Sequence, residues 1–216
     1  MKINRVKTCF KIADVVIERS DILKFNYLKD LKDENGISLN QNILKENVGR
    51  VYLICVNSEI KKIGGSEDAG GMKGTLNIYR DGGLNGQPSP RSIGTWWHLF
   101  HELSKNNHVE IYMIYQNSFF GKVKGLFGST PRQVSISYKH IENACLADYF
   151  SVEKKNPDWN YQENSNVWTQ EIEELHKITL FNKGKKGQEK NLDFAKTLKN
   201  NGIKTIIKRC RKDYDR

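Results

Sequence analysis

The stretch VGRVYLICVNSEIKKIGGS, residues 48–66, decides the fold. Its first half, Val51 to Val56, is a short apolar run of the kind that forms a buried strand. Its second half, Ile60 to Gly65, mixes apolar residues with lysines and ends in a glycine pair. Two such runs joined by a short polar segment predict an antiparallel β-hairpin.

The length of the hairpin loop decides which side chains share a face. Directly opposed residues of an antiparallel pair point to the same side of the sheet. A three-residue loop, residues 56–58, would pair Tyr52 with Lys62, whereas a two-residue loop would pair Tyr52 with Ile63 and turn Lys62 to the other face. A phenol beside an ammonium group can orient or deprotonate a water, so a catalytic interpretation requires the three-residue loop.

Two glycines follow the lysine of this hairpin. Gly64 and Gly65 lack side chains, which would let a nucleic-acid backbone approach the sheet closely. The composition points to the same class of partner, since the 216 residues carry a formal net charge of +10. A chain of this length supports one substantial core with extensions, and a charge of this sign favours a polyanion, most commonly nucleic acid.

The positive charge is concentrated at the end of the chain. From Lys177 onward there are 13 Lys or Arg residues against 4 Asp or Glu, a net charge of +9. Such a segment can neutralise several phosphates and gives salt-dependent, largely sequence-independent affinity. The DNA-binding candidates in it are Lys183, Lys185, Lys186, Lys208, Arg209, Arg211 and Lys212.

The cysteines and the hydropathy exclude other classes of protein. Cys9, Cys55, Cys145 and Cys210 show no C-x-x-C spacing, so neither a zinc ribbon nor a disulfide framework is indicated. Charges interrupt every apolar run near the N-terminus, and no window approaches the length that spans a bilayer. The sequence therefore predicts a cytoplasmic protein.

The remaining elements follow from periodicity and turn residues. Their order predicts an α+β fold in which helices cover a small antiparallel sheet. The predicted elements are a helix over 9–33, a short helical piece over 39–47, a weak helix within 67–80, a loop over 81–90, a helix over 92–106, a strand over 108–115, a mobile basic loop over 119–133, a helix over 136–152, and two basic helices near 189–201 and 203–212.

Four short motifs occur in an order that resembles the GIY-YIG nuclease family. They are GRVY at 49–52, KIGGS at 62–66, YRDGG from Tyr79, and HIENA at 140–144, which contains Glu142. The resemblance covers residues 48–150 and is closest to the restriction-endonuclease branch, which carries a Lys-Ile-Gly variant. It implies a three-stranded antiparallel sheet flanked by helices, with an N-terminal helical extension (1–47), a nuclease core (48–152) and a basic helical C-terminal region (153–216).

The resemblance also implies a chemistry and a set of residues. Tyr52 would activate or orient the attacking water, Lys62 would support it, and Glu142 would bind one divalent metal, most simply Mg²⁺. Tyr79 belongs to the catalytic candidates through its motif. The family's arginine on the helix after the hairpin has no clear counterpart. Lys73, Arg80 and Arg91 are alternatives, Lys73 and Arg80 rank nearly level, and a lysine lacks the bidentate fork of an arginine.

The implied function is a type II restriction enzyme that cuts double-stranded DNA at a specific site. A palindromic target would favour a homodimer, and a cognate DNA methyltransferase would accompany the enzyme. Two alternatives stay open: a repair, recombination or mobile-element nuclease with the same chemistry, and a DNA-binding protein that keeps the fold without catalysis. Structural explanations also exist, because Tyr52 could be a core tyrosine, Lys62 a solvated charge, and Glu142 the partner of a neighbouring lysine.

Overall fold

The computed structural model describes residues 1–19, 22–46, 49–82, 89–170, 172–174 and 176. The two predicted basic helices and every DNA-binding candidate from Lys183 to Lys212 lie outside the described residues. Most of the predicted loop over 81–90 does so too.

The described residues form an α+β fold, as predicted. Its main sheet has five strands in the order β2-β1-β7-β5-β6 and is antiparallel, so the predicted number of three strands is wrong. Two small pairs, β3-β4 and β8-β9, lie outside that sheet. The strands are β1 Phe10–Arg19, β2 Ile22–Tyr27, β3 Leu31–Lys32, β4 Ser38–Leu39, β5 Arg50–Val56, β6 Glu59–Ser66, β7 Val109–Tyr115, β8 Phe119–Gly125 and β9 Gly128–Val134; the helices are α1 Gly71–Ile78, α2 Pro90–Ser104 and α3 Tyr138–Glu153.

The two extra strands come from the N-terminal region. The helix predicted over 9–33 is wrong, because this segment contains β1 and β2. In β1 the β-branched residues Ile12, Val15, Val16 and Ile17 favour a strand. The backbone N–H and C=O groups form hydrogen bonds with the neighbouring strands of the sheet, where a helix would have paired them with one another. The helical piece predicted over 39–47 is only a 3₁₀ turn at Gln41–Leu44.

The β5-β6 hairpin has a two-residue turn, so the predicted three-residue loop is wrong. Val56 pairs with Glu59, and the turn residues Asn57 and Ser58 have φ angles of 48° and 64°. Two consecutive positive φ angles are typical of a type I′ turn, whose twist matches that of the flanking strands.

A β-bulge then changes the register of the hairpin. Cys55 pairs with Ile60 but Ile54 pairs with Lys62, so Lys61 is an extra residue on β6. Beyond the bulge Tyr52 pairs with Gly64. The bulge restores Lys62 to the face of Tyr52, which the two-residue turn alone would have prevented.

The basic loop predicted over 119–133 is a second hairpin. β8 and β9 pair in regular antiparallel register from Phe119↔Val134 to Gly125↔Gly128. Most of its residues are exposed on both faces, so burial gives no periodic pattern from which a strand could be recognised. The other predicted elements are confirmed: α2, β7 and α3 each lie within about two residues of the expected bounds, and α1 lies inside the predicted segment 67–80.

The chain divides into two compact units. Unit 1 comprises Met1–Ala13, Tyr27–Thr75 and Glu110–Asn160, and unit 2 comprises Asp14–Asn26, Leu76–Val109 and the described residues from Tyr161 onward. The core of unit 1 contains Val51, Leu53, Ile63 and Tyr149. The predicted division at 47/48 and 152/153 stays a prediction.

Unit 2 is built on α2 and its aromatic residues. A capping box between Ser89 and Ser92 starts the helix. On its buried face the rings of Trp96 and Phe100 stack with their centroids 5.9 Å apart. Within the described ranges no helix combines the length and the apolar character needed to cross a bilayer.

Candidate active site

One face of the β5-β6 hairpin carries the predicted catalytic pair. The register places Tyr52 opposite Gly64 and, two residues along, Ile54 opposite Lys62, so the phenol and the ammonium group share a face without being directly paired. Tyr52 is 3% exposed and Lys62 is 6% exposed. The lysine donates a hydrogen bond from Nζ to the backbone oxygen of Trp159 at 3.4 Å.

The ring of Tyr52 lies directly against Gly64. A Cβ atom at position 64 would lie 2.4 Å from both Cζ and the hydroxyl oxygen of Tyr52, a separation that real Cβ atoms do not show. The absence of a side chain at Gly64 is therefore a condition for the position of the phenol. This explains the glycine by packing, and the DNA contact predicted for Gly64 remains a prediction.

The carboxylate of Glu142 reaches the same strand from helix α3. Gly65 donates its backbone N–H to Oε1 of Glu142 at 2.8 Å. A Cβ atom at position 65 would lie 2.2 Å from Cδ2 of Tyr138 and 3.2 Å from Oε2 of Glu142. The second glycine thus gives α3 room to bring its carboxylate against β6.

The two glycines bring together residues that are distant in the sequence. Successive residues of a strand face opposite sides, so Tyr52 approaches β6 at Gly64 from one side and Glu142 approaches at Gly65 from the other. The hydroxyl and the carboxylate therefore contact two consecutive residues near the end of the strand, one from each face of the sheet.

A segment after α3 fixes β6 at Lys62. Asn160 accepts a hydrogen bond from the N–H of Ile63 and donates one to its carbonyl oxygen, both at 2.9 Å. Trp159 donates its N–H to the carbonyl oxygen of Lys61 at 2.8 Å. These bonds hold the backbone on both sides of Lys62.

An ion-pair cluster supports that segment. Asp158 accepts hydrogen bonds from Lys61 at 3.0 Å and from Lys155 at 2.8 Å. Burial by itself would raise the pKa of Asp158, but the bonds to the two lysines outweigh it and the pKa lies below the ordinary value.

Sequence reasoning missed Arg50, although the residue lies inside the GRVY motif. It shares the face of Tyr52 and is completely buried. Its guanidinium group donates to the carbonyl oxygens of Glu46 and, at 2.7 Å, of Asp68. Arg50 therefore ties the segment before β5 to the segment after β6. The available clue was an arginine in an apolar strand, two positions from the tyrosine.

The basic candidates for holding a phosphate have other recorded contacts. Within unit 1, Lys73 on α1 places Nζ 4.8 Å from the ring centroid of Tyr27, a cation–π contact. Within unit 2, exposed Arg80 pairs with Glu18 at 3.2 Å, Arg91 donates to Gln162, and Tyr79 is buried. Of the catalytic candidates, unit 1 brings Tyr52, Lys62 and Glu142 to β6.

Comparisons with known proteins find similarity only to solved structures. No protein-family model matches the chain, and no curated protein matches it. A mutant of EndoII from bacteriophage T4 aligns with a TM-score of 0.46 and 16% identity over 74% of this chain and 98% of that chain. Restriction endonuclease HPY188I in complex with product DNA aligns with a TM-score of 0.38 and 20% identity over 69% of this chain and 78% of that chain. At these values neither protein's function transfers to this chain.

Proposed function

We propose that the protein is a metal-dependent endonuclease that hydrolyses phosphodiester bonds in double-stranded DNA. The observation that supports it best is that the Tyr52 ring and the Glu142 carboxylate contact the consecutive residues Gly64 and Gly65 at one end of β6. A tyrosine hydroxyl can act as a general base and a carboxylate can bind a divalent cation, and metal-dependent phosphodiester hydrolysis uses both functions.

In this proposal Tyr52 orients the attacking water and accepts its proton. Lys62 lies on the same face, and its positive charge favours the phenolate form that a base must adopt. The ring position is fixed by Gly64, so the hydroxyl is held for one direction of attack.

Glu142 is the proposed metal ligand. Its Oε1 accepts the Gly65 N–H at 2.8 Å, which holds the carboxylate against β6. One carboxylate oxygen fits Mg²⁺, which keeps several waters and takes substrate phosphate oxygens as further ligands. When bound, the cation would neutralise negative charge that develops on the phosphate.

The remaining roles complete the proposal. Lys73 and Arg80 remain equally ranked candidates for the residue that holds the scissile phosphate, and Tyr79 precedes Arg80 in the sequence. The basic residues beyond Lys177 supply sequence-independent phosphate contacts. The specific form of the proposal is a type II restriction enzyme that acts as a homodimer on a short palindrome and is accompanied by a cognate methyltransferase.

The test is cleavage of plasmid and phage DNA in the presence of Mg²⁺ by the intact protein, Tyr52→Phe and Glu142→Gln. The matched controls are Tyr112→Phe on β7 and Glu153→Gln on α3. We expect discrete fragments from the intact protein and both controls, and rates reduced at least about 100-fold in the two site variants. Calorimetric titration with Mn²⁺ should show a binding site that Glu142→Gln lacks.

Other outcomes discriminate the alternatives. Salt-sensitive DNA binding without cleavage across several metals and DNA forms would overturn the nuclease proposal and favour the DNA-binding protein. Cleavage confined to branched or nicked DNA, or to a long asymmetric site, would replace the restriction enzyme by a repair, recombination or mobile-element nuclease.

A further inference from the structure

The tip of the β8-β9 hairpin exposes two large apolar side chains. Leu126 is 95% exposed and Phe127 is 102% exposed, and they form the connection between Gly125 and Gly128. Phe120 on β8 is 81% exposed. Exposed apolar side chains are ordinary when scattered, but adjacent ones at the end of a projecting element indicate a contact surface.

The hairpin carries positive charge on both faces. The register places Lys122 and Lys124 on one face, opposite Pro131 and Ser129, and Arg132 on the other face, opposite Gly121. All three cations are exposed, and the sequence contains no Asp or Glu from residue 111 to residue 141. The hairpin is therefore a cationic ribbon with an apolar end.

Little burial stabilises this ribbon in the chain itself. Its two strands are exposed at nearly every position, and an isolated two-stranded hairpin is only marginally stable in water. A partner that contacts both faces and the tip would supply the missing burial. Duplex DNA has that shape, because phosphates line both walls of a groove and stacked bases form its floor.

We propose that the hairpin enters a groove of duplex DNA and that Leu126 and Phe127 act as a wedge that partly unstacks one base step. Lys122 and Lys124 contact phosphates on one wall of the groove, and Arg132 contacts phosphates on the other. Proteins that insert apolar side chains between bases kink the duplex at that step, which allows more of their surface to touch the DNA. This inference rests on the proposed function, since it assigns a second DNA contact to the same substrate.

The proposed function favours DNA over a lipid bilayer as the partner of this hairpin. A bilayer would surround an inserted tip with headgroups on every side, so cations on both faces fit a membrane too, and the choice of DNA rests on the proposed function. A groove presents phosphates on two sides of whatever enters it. The arrangement of Lys122, Lys124 and Arg132 fits such a groove, and the vesicle experiment below separates it from a membrane contact.

The test uses the full chain and short DNA duplexes that carry 2-aminopurine at successive positions, without metal so that the DNA stays intact. The probe brightens when its neighbours unstack. The intact protein should raise its fluorescence severalfold at one or two positions. Leu126→Ser combined with Phe127→Ser should abolish the rise and weaken binding about tenfold. The matched control is Ile37→Ser combined with Val167→Ser, which removes exposed apolar side chains elsewhere.

A charge variant tests the other half of the proposal. Lys122→Ala combined with Lys124→Ala and Arg132→Ala should reduce the slope of log affinity against log salt by about 2 to 3, whereas the tip variant should leave the slope unchanged. Thermal unfolding of each variant checks that the fold persists. Equal fluorescence and affinity for the tip variant and the intact protein would overturn the inference.

The failures of the inference and of the proposed function differ in their readouts. Cleavage by the intact protein with no effect of the tip variant on binding or fluorescence would remove the wedge and keep the nuclease. Fluorescence changes lost in the tip variant, without cleavage under any metal, would keep the wedge and remove the nuclease. Loss of binding to phosphatidylserine vesicles in the tip variant, with DNA binding intact, would overturn the inference in favour of a membrane contact.

Discussion

Tyr52 and Gly64 pair directly across the β5-β6 hairpin, and the phenol ring occupies the space that any side chain at position 64 would need. The catalytic tyrosine of the proposed site is thus positioned by the absence of an atom on the neighbouring strand. A substitution at Gly64 therefore tests the position of the phenol as directly as a substitution at Tyr52.

Gly64→Ala should damage both stability and cleavage. The added Cβ would lie 2.4 Å from the ring, so the ring or the strand must move, at a cost of about 1–3 kcal/mol in the free energy of unfolding. Urea denaturation measures this cost, and DNA cleavage should fall because the hydroxyl is displaced. Gly121→Ala is the stability control, since its nearest neighbours lie at an ordinary 3.4 Å. An unchanged urea midpoint for Gly64→Ala would contradict the packing explanation.

Lys62→Met should separate charge from packing. The side chain is buried, so a thioether of similar length keeps the contacts of the aliphatic stem and avoids the desolvation of an ammonium group. Loss of the Nζ hydrogen bond to the Trp159 carbonyl offsets part of this gain, so we expect the free energy of unfolding to change by less than about 2 kcal/mol. The cleavage rate should fall at least about tenfold, because Tyr52 loses its neighbouring positive charge. Stability is read from urea unfolding and cleavage from single-turnover assays. A stability loss with full activity would indicate a structural lysine.

Asn160→Ala should destabilise the protein through the β6 backbone. Removal of the amide leaves both the N–H and the carbonyl oxygen of Ile63 without their bonds to Asn160, which costs about 2–4 kcal/mol in total. Urea denaturation of this variant should be compared with Asn143→Ala, which alters an exposed position on α3. Similar stability for the two variants would show that the amide contributes little.

Two partly buried thiols should make stability fall at alkaline pH. Burial raises the pKa of Cys9 and of Cys145 from the ordinary 9.0 to about 11. The folded state therefore holds protons that the unfolded state releases between pH 9 and pH 11, so this contribution is complete below pH 9 and is lost as the pH rises through 11. Urea midpoints across that range should fall more steeply for the intact protein than for Cys9→Ser combined with Cys145→Ser. Parallel curves would contradict the assignment, since the tyrosines whose pKa burial raises to about 12 act equally in both proteins.

The elements predicted correctly are those whose sequence pattern and burial agree. Helix α2 buries Trp96, Leu99 and Phe100 at helical spacing, and β7 alternates buried and partly buried residues. The prediction for β1 was wrong because charged residues at its start and end imitate a helical pattern. Its neighbour β7 in the sheet comes from distant sequence. β8 and β9 pair without a buried face, so no hydrophobic period marks them as strands.

The site shows the same division between local and non-local information. Motif order selected Tyr52, Lys62 and Glu142 as candidates, and unit 1 places these three residues on or against the β5-β6 hairpin, while their roles stay predictions. The sequence could not reveal that a bulge at Lys61 compensates for a two-residue turn, because the two changes cancel in their effect on the face of Lys62. Arg50 was overlooked because its partners are backbone oxygens, which have no sequence signature.

The outer side of β6 has a consequence for self-association. β6 is the last strand of the main sheet, and an exposed edge strand can recruit a strand from another molecule. Along that edge Trp159 covers the carbonyl oxygen of Lys61, Asn160 covers both polar groups of Ile63, and Glu142 covers the N–H of Gly65. Four of the six backbone polar groups at Lys61, Ile63 and Gly65 therefore have partners within the chain and are not available to pair with a foreign strand. The carboxylate proposed to bind metal therefore also protects the molecule against edge-to-edge aggregation, and exchanging it for a side chain that cannot accept a hydrogen bond would reopen the sheet at its active end.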